Sequence, residues 1–215
     1  MHIEPGILNA AKLVSANAGA IATLATFGAG LVRQPILLVR AGLAAVFFSM
    51  FMEIFHLPVG ASELHFVGAS AVYMLFGFLP TLVAFAVGLL LQGLVFEPQD
   101  LVHLGVNSLS LMLPLIVAHQ VVGRRFFAGR NKLAVRWASV VRFDAIYYAG
   151  LVTMVGFWLS LGNEPTPVLN WLGFALSYVP LVLVEPLFTW GVVKLAHRNR
   201  RRLGAATAVA DLVIA

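Results

Sequence analysis

The sequence predicts an all-α, polytopic membrane bundle of about seven transmembrane helices, with the N-terminus outside and the C-terminus cytoplasmic. Three observations carry this. Of 215 residues, 60% are hydrophobic and only 11% charged, with a mean hydropathy of +0.93, whereas soluble domains carry about 25% charged residues. The apolar residues fall into stretches near the length of about 20 residues that a helix needs to cross a bilayer. The lysines and arginines collect in alternate connections between those stretches, the pattern that sets orientation in membranes.

The spans are expected at residues 7–32, 35–57, 65–79, 80–96, 101–122, 133–161 and 168–197. The third and fourth are short and meet at Pro80, so one of them is a candidate for a tilted, broken or re-entrant element. The link between the fifth and sixth holds Arg124, Arg125, Arg130, Lys132 and Arg136. Arg198, Arg200, Arg201 and Arg202 follow the last span, and Arg33 lies in the first connection. These three segments read as cytoplasmic. The opposite set holds Glu4, Glu53, Glu63, Glu97, Asp100 and Glu164 with almost no basic residue. An outside start and an inside finish require an odd number of crossings, which seven satisfies.

Length and composition fit one integral membrane domain over residues 1–215, with a short basic cytoplasmic tail from about residue 198. The net charge of +5 does not imply nucleic acid, because the positive charges sit in loops between apolar spans. The absence of cysteine removes disulfides and thiolate metal sites. Glu4 and Pro5 stand where a secretory signal would carry positive charge, so no cleavable signal is expected. The bulky His2 also disfavours removal of Met1, leaving a free α-amine.

Met1-His2-Ile3 can form a chelate. The α-amine, the next backbone amide nitrogen and the His2 imidazole close two fused rings around one cation. Three nitrogens in a plane suit Ni(II) or Cu(II) once the amide proton is lost, and they leave a fourth position for one more imidazole. Pro5 restricts the tail and Gly6 lets it turn. His56, His65 and His103 all fall on the outer, acidic side, which draws cations, and His56 and His103 read as outer-vestibule residues only. Asn107 and Ser108 lie near the outer end of the fifth span. They could orient the tail around a metal or bind helix to helix within the bundle.

Three segments together resemble the CbiM/NikM family, the substrate-specific components of energy-coupling-factor nickel/cobalt transporters. They are Met1-His2-Ile3-Glu4-Pro5-Gly6, Pro58-Val59-Gly60-Ala61-Ser62-Glu63-Leu64-His65 and Leu104-Gly105-Val106-Asn107-Ser108-Leu109-Ser110. The likeness covers most of the chain up to about Pro114. It implies capture of Ni(II) or Co(II) from outside for import driven by ATP hydrolysis on partner subunits. The implied metal ligands are Met1, His2 and His65, with Asn107 and Ser108 supporting the N-terminal segment. The ion would be the transported substrate and not a cofactor. The implied partners are a membrane coupling subunit, ATPase subunits and a small accessory membrane subunit, in a bacterial or archaeal cytoplasmic membrane. One departure stands out. Where the family follows its loop histidine with Pro-Thr-Gly, this chain has Phe66-Val67-Gly68. That departure and the divergent last third motivate an alternative, a membrane interaction or assembly protein that keeps the fold without transporting metal.

Helix one carries Ala16-x-x-x-Ala20 and Ala18-x-x-x-Ala22, small-residue patterns that let another helix approach closely. Internal packing is the first reading, and contact with the coupling subunit the second. Lys12, Arg142, Asp144 and Glu185 are charges in or near spans, read first as structural ion pairs, with Arg142 and Asp144 on the cytoplasmic half of the sixth span able to snorkel or to pair. Glu185 is the first candidate for an inward relay. The chain has no Gly-x-x-x-x-Gly-Lys-Ser/Thr loop, no His-Glu-x-x-His and no apparent catalytic triad, so it is not expected to be an enzyme and ATP chemistry would lie on another chain.

Overall fold

The computed structural model describes residues 6–54, 56–59, 62–127, 132–163 and 166–214. Helix α1 (Ala10–Val32) starts at Asn9, whose side chain accepts the Lys12 backbone N–H at 3.1 Å and so satisfies one of the four donors left open at a helix start. Pro35 opens α2 (Pro35–Ile54), a first-turn position where its missing N–H costs nothing. A hairpin follows, β1 (His56–Val59) and β2 (Ser62–His65), antiparallel with His56 opposite His65. Then come α3 (Ala69–Phe76) and α4 (Phe78–Val95), separated by Gly77 at φ +88°. A 3-10 turn (Pro98–His103) leads into α5 (Leu104–Ala118). That helix continues through a π turn (His119–Gly123) into α6 (Arg124–Phe127). Helices α7 (Trp137–Ser160), α8 (Val168–Ser177), α9 (Val179–Arg198) and α10 (Arg200–Leu203) complete the order.

Among the described residues, six helical stretches are long and apolar enough to cross a membrane: Ala10–Leu31, Pro35–Ile54, Phe78–Val95, Pro98–Phe127, Trp137–Ser160 and Val168–Arg198. The all-α membrane bundle expected from the sequence is thus the fold, with one correction. The third predicted span is not a spanning helix. It is a strand end, an extended link and an eight-residue helix, which at 1.5 Å per residue covers about 12 Å.

The chain nevertheless passes from one end of the bundle to the other in that region. The hairpin lies at the far end of α2, whereas the Arg40 side chain near the start of α2 donates to Ala205 O at 2.8 Å. The end of α3 lies at this second end, where Ala208 N–H donates to Leu75 O at 2.6 Å. The C-terminal segment folds back there, with Lys132 Nζ on Asp211 O at 2.8 Å and Val135 N–H on Val213 O at 2.7 Å. Arg40, Arg125, Lys132 and Arg136 gather at this end, and Arg125, Lys132, Arg136 and Arg142 line a cavity of about 510 Å³. The charge asymmetry read from the sequence is an asymmetry of the folded ends.

The core surrounds α3. All eight of its residues are buried, and it touches α2, α4, α7 and α9. Non-helical backbone at membrane depth is tolerated where protein covers it, and that is the situation of residues 66–68. Around this centre, α2 packs on α4 and α5 packs on α1 and α7. Ser49 Oγ donates to Gly88 O at 2.9 Å across the first contact. Across α5 and α7, the buried Trp158 Nε1–H donates to Ser110 Oγ at 2.9 Å. The outward faces keep large apolar side chains exposed, such as Ile21, Leu38, Met50, Leu94, Leu183 and Leu187, as lipid contact requires. Replacing Ser110 with Ala leaves the Trp158 N–H buried without an acceptor. The expected cost is about 1–3 kcal/mol, measured as a lower unfolding midpoint of the purified protein in detergent.

Candidate metal centre

The end of the bundle away from the arginines assembles four separate stretches. The first is the start of the described chain. Asn163 donates its backbone N–H to Ile7 O at 2.8 Å and its Nδ2 to Gly6 O at 3.4 Å. Gly6 has φ +96°, a turn that a side chain would resist. Lys12 Nζ donates to Leu161 O, a cation on the carbonyls at the C-terminus of α7. Among the described residues, Lys12 is thus a helix-end ligand, where the sequence suggested an ion pair. Met1 and His2, the predicted chelating pair, lie outside the described residues.

The second stretch is the hairpin and the arm that leaves it. His65 ends β2 and is buried, 1% exposed. The next residue, Phe66, packs edge-on against Phe51 of α2 and Phe188 of α9, each with ring centroids 5.5 Å apart, and those two rings meet each other at 5.3 Å. Such edge-to-face contacts fix the arm between two helices. Gly68 turns the arm into α3 with φ +63°, and a Cβ there would run into the Phe51 ring. The sequence Phe66-Val67-Gly68, which departs from the family pattern, thus has its own way of holding the histidine arm. It is an aromatic clamp followed by a glycine turn.

The third stretch is the start of α5. Asn107 and Ser108 are both buried, 2% exposed. Gly105 lets α1 approach closely, because a Cβ there would collide with the Asn17 side chain and backbone. His103 is also buried, and its two ring nitrogens have no hydrogen-bond partner among the described residues. An open vestibule position, as the sequence suggested for it, does not describe this side chain. The fourth stretch is the end of α7, already met through Asn163 and Leu161.

Below this end, Glu185 of α9 is fully buried at the start of α3. It accepts the Ser70 backbone N–H at 3.2 Å and the Tyr148 hydroxyl. The Ser70 hydroxyl is 2.7 Å from Thr189 Oγ1. Asp144 is equally buried, and neither of its carboxylate oxygens has a hydrogen-bond partner among the described residues. Arg142, which the sequence offered as its ion-pair partner, lines the basic cavity at the other end. One helical step of about 100° between neighbours turns residues two apart to different sides, so the spacing never favoured that pair. Sequence reasoning singled out Glu185 but missed Ser70, Tyr148 and Thr189 around it. The legible signal was an acid in an apolar span with no basic residue within a helical turn.

Among the described residues, no group of three or more His, Asp or Glu side chains could hold a metal ion.

The family model for the cobalt uptake substrate-specific transmembrane region, CbiM, matches residues 2–203. The chain belongs to the CbiM family. A Haemophilus influenzae protein to which metal transport is ascribed is 28% identical over 202 residues, covering 91% of this chain and 92% of that one. A crystal structure of a transition metal transporter superposes with a TM-score of 0.69 at 16% identity, over 94% of this chain and 99% of that one. At that identity the likeness is one of fold. As a CbiM-family chain, this protein is a multi-pass membrane component of metal uptake, with metal as substrate.

The contact of α1 with α5 depends on the close approach at Gly105. Gly105→Val should wedge the two helices apart, at about 1–3 kcal/mol. Its effect is read from the thermal unfolding midpoint against Gly28→Val, where nothing lies within 4 Å.

Proposed function

We propose that this chain is the substrate-binding membrane component of an energy-coupling-factor ABC transporter and captures Ni(II) or Co(II) from outside. The observation that carries the reading is the position of His65. It is a buried imidazole on a clamped arm, at the same end of the bundle as the pinned Gly6 and Ile7 that follow the chelating tip. The α-amine of Met1, the His2 amide nitrogen and the His2 imidazole supply three nitrogens, and the His65 imidazole supplies the fourth. A planar four-nitrogen set is suited to Ni(II).

Loss of the His2 amide proton on binding adds a negative charge that offsets part of the cation's charge. Asn163 holds Gly6 and Ile7 in place before capture. That limits the entropic cost, which runs at about 1–2 kcal/mol per residue fixed. Asn107 and Ser108, buried at the start of α5, hold the tail in register as supports around a metal do.

In this reading the acidic end faces outside and concentrates cations, while the arginine-rich end faces the cytoplasm and the membrane is the cytoplasmic membrane. The chain has no phosphate-binding loop, so import is driven by ATPase subunits through a membrane coupling subunit. A small accessory membrane subunit completes the assembly. The alternative, an assembly protein without metal transport, rested on the changed residues after His65 and on the divergent last third. The changed residues clamp the arm, and the family match runs through the last third to residue 203.

The test is a nickel and cobalt titration of the purified chain with its native N-terminus. One equivalent should bind. Adding a single residue before Met1, or replacing His65 with Ala, should reduce binding below detection, and Asn107→Ala should weaken it about 10–100-fold. Unchanged affinity after N-terminal extension would overturn the proposal.

A further inference from the structure

We propose that Glu185 acts as a helix cap supplied from a different element, closing the N-terminus of α3 as a carboxylate and so positioning the His65 arm, while Asp144 beside it holds a proton. The positioning half rests on the reading of His65 as a metal ligand. The capping half does not.

The argument begins with what α3 lacks. Its first residue follows Gly68, whose side chain can cap nothing, so the N–H groups of the first turn have no local acceptor. They open into a bundle core where water cannot serve, and each unsatisfied group there costs free energy comparable to a lost hydrogen bond. Glu185 meets this need from α9. Its Oε1 takes the Ser70 N–H at 3.2 Å, and the Ser70 hydroxyl lies at 3.5 Å from the same oxygen. The Gly68 amide also acts on it. Its Oε2 takes the Tyr148 hydroxyl. The positive end of the α3 dipole favours a negative charge at this point. Every neighbour of Glu185 in this set donates, the arrangement that suits a carboxylate.

The groups facing this carboxylate come from three helices. Helix α7 presents Asp144, Tyr147 and Tyr148, α3 presents Ser70, and from the start of α9 Tyr178 packs against Tyr148 behind them. No lysine or arginine is among the groups acting on either acid among the described residues. Asp144 has zero exposure and no hydrogen-bond donor to either oxygen among the described residues. Two adjoining carboxylates without a cation do not both ionise. The donors decide which one does: the Ser70 N–H and the Tyr148 hydroxyl are bonded to Glu185, while the Ser70 hydroxyl is the one donor that also acts on Asp144, among the described residues.

The consequence for the metal reading is one of distance along the chain. Gly68 is three residues after His65, and the intervening Phe66 is clamped by Phe188, which lies one turn beyond Glu185 on α9. One face of α9 thus holds the arm twice, once by aromatic contact and once by the cap. Glu185 touches no predicted metal ligand, so it is a positioning residue.

The experiment measures hydrogen exchange of the amides over residues 66–76 and nickel affinity, in the full chain in detergent. Glu185→Leu should lose amide protection at the start of α3, weaken nickel about 10–100-fold and shift the d–d absorption of bound nickel. Glu185→Gln keeps an acceptor oxygen and should restore most of both. Asp144→Asn should leave both unchanged, because it replaces a neutral group with a neutral group. Tyr148→Phe, which keeps the ring and the fold, should lower protection of the same amides, and it decides the question should Glu185→Leu fail to fold.

Wild-type exchange in both Glu185→Leu and Tyr148→Phe, or equal damage from Gln and Leu at 185, would overturn the cap. Damage from Asp144→Asn as large as that from Glu185→Leu would overturn the assignment of the proton. His65→Ala separates the two readings. It should abolish nickel binding and leave α3 protection intact. If nickel still binds, the metal-ligand reading fails while the exchange data on Glu185 still stand.

Discussion

A helix that begins inside a membrane has to find acceptors for its first N–H groups without water. That constraint organises this protein. The third crossing is broken into an extended arm and the short helix α3, so its backbone must be satisfied by neighbours and not by its own continuation. The neighbours comply from every side. Glu185 receives the amide at the start of α3, the C-terminal segment closes its far end through Leu75, and α2, α4, α7 and α9 bury all of its side chains. A broken crossing allows the chain to carry a histidine inward on a short arm, which an unbroken helix would leave on a lipid-facing or packed surface.

The two ends of the bundle do different work. One gathers the arginines and the refolded C-terminal segment around a cavity. The other gathers the pinned start of the chain, the hairpin, the first turn of α5 and the end of α7. Under the proposed function, the second is the capture end and the first is the end that faces the cytoplasm. The proposed ligand set needs that capture end to hold backbone nitrogen and imidazole together. The pinning of Gly6 and the clamp on Phe66 are the two devices that would do so.

Much of this was readable from residues alone. Apolar length and the placement of lysine and arginine depend on local composition, so the bundle and its two-ended charge pattern were legible. His65, Asn107 and Ser108 stood out because they sit in recognisable segments, and each of them is buried. The broken third crossing was half legible. Pro80 drew attention, but the break falls at Gly77 and at residues 66–68, and Pro80 sits quietly in the first turn of α4. The Glu185 cluster was not legible as a cluster. Ser70, Asp144, Tyr148 and Thr189 lie up to 119 positions apart in sequence, and ordinary hydroxyl residues in apolar spans announce no partner. Reading Asp144 with Arg142 failed because nearness in sequence is not nearness on a helix.

Order of synthesis gives the α3 contacts one more meaning. This helix emerges from the ribosome early, yet its cap on α9 and its closing amide at Ala208 are made last. Until then the segment is an eight-residue piece with open ends, too short to hold itself in a bilayer. The translocon can therefore seat the long helices one by one, but the histidine arm settles only after nearly the whole polypeptide has arrived. Completion of the broken crossing is in this sense a post-insertion event, finished by the last third of the chain.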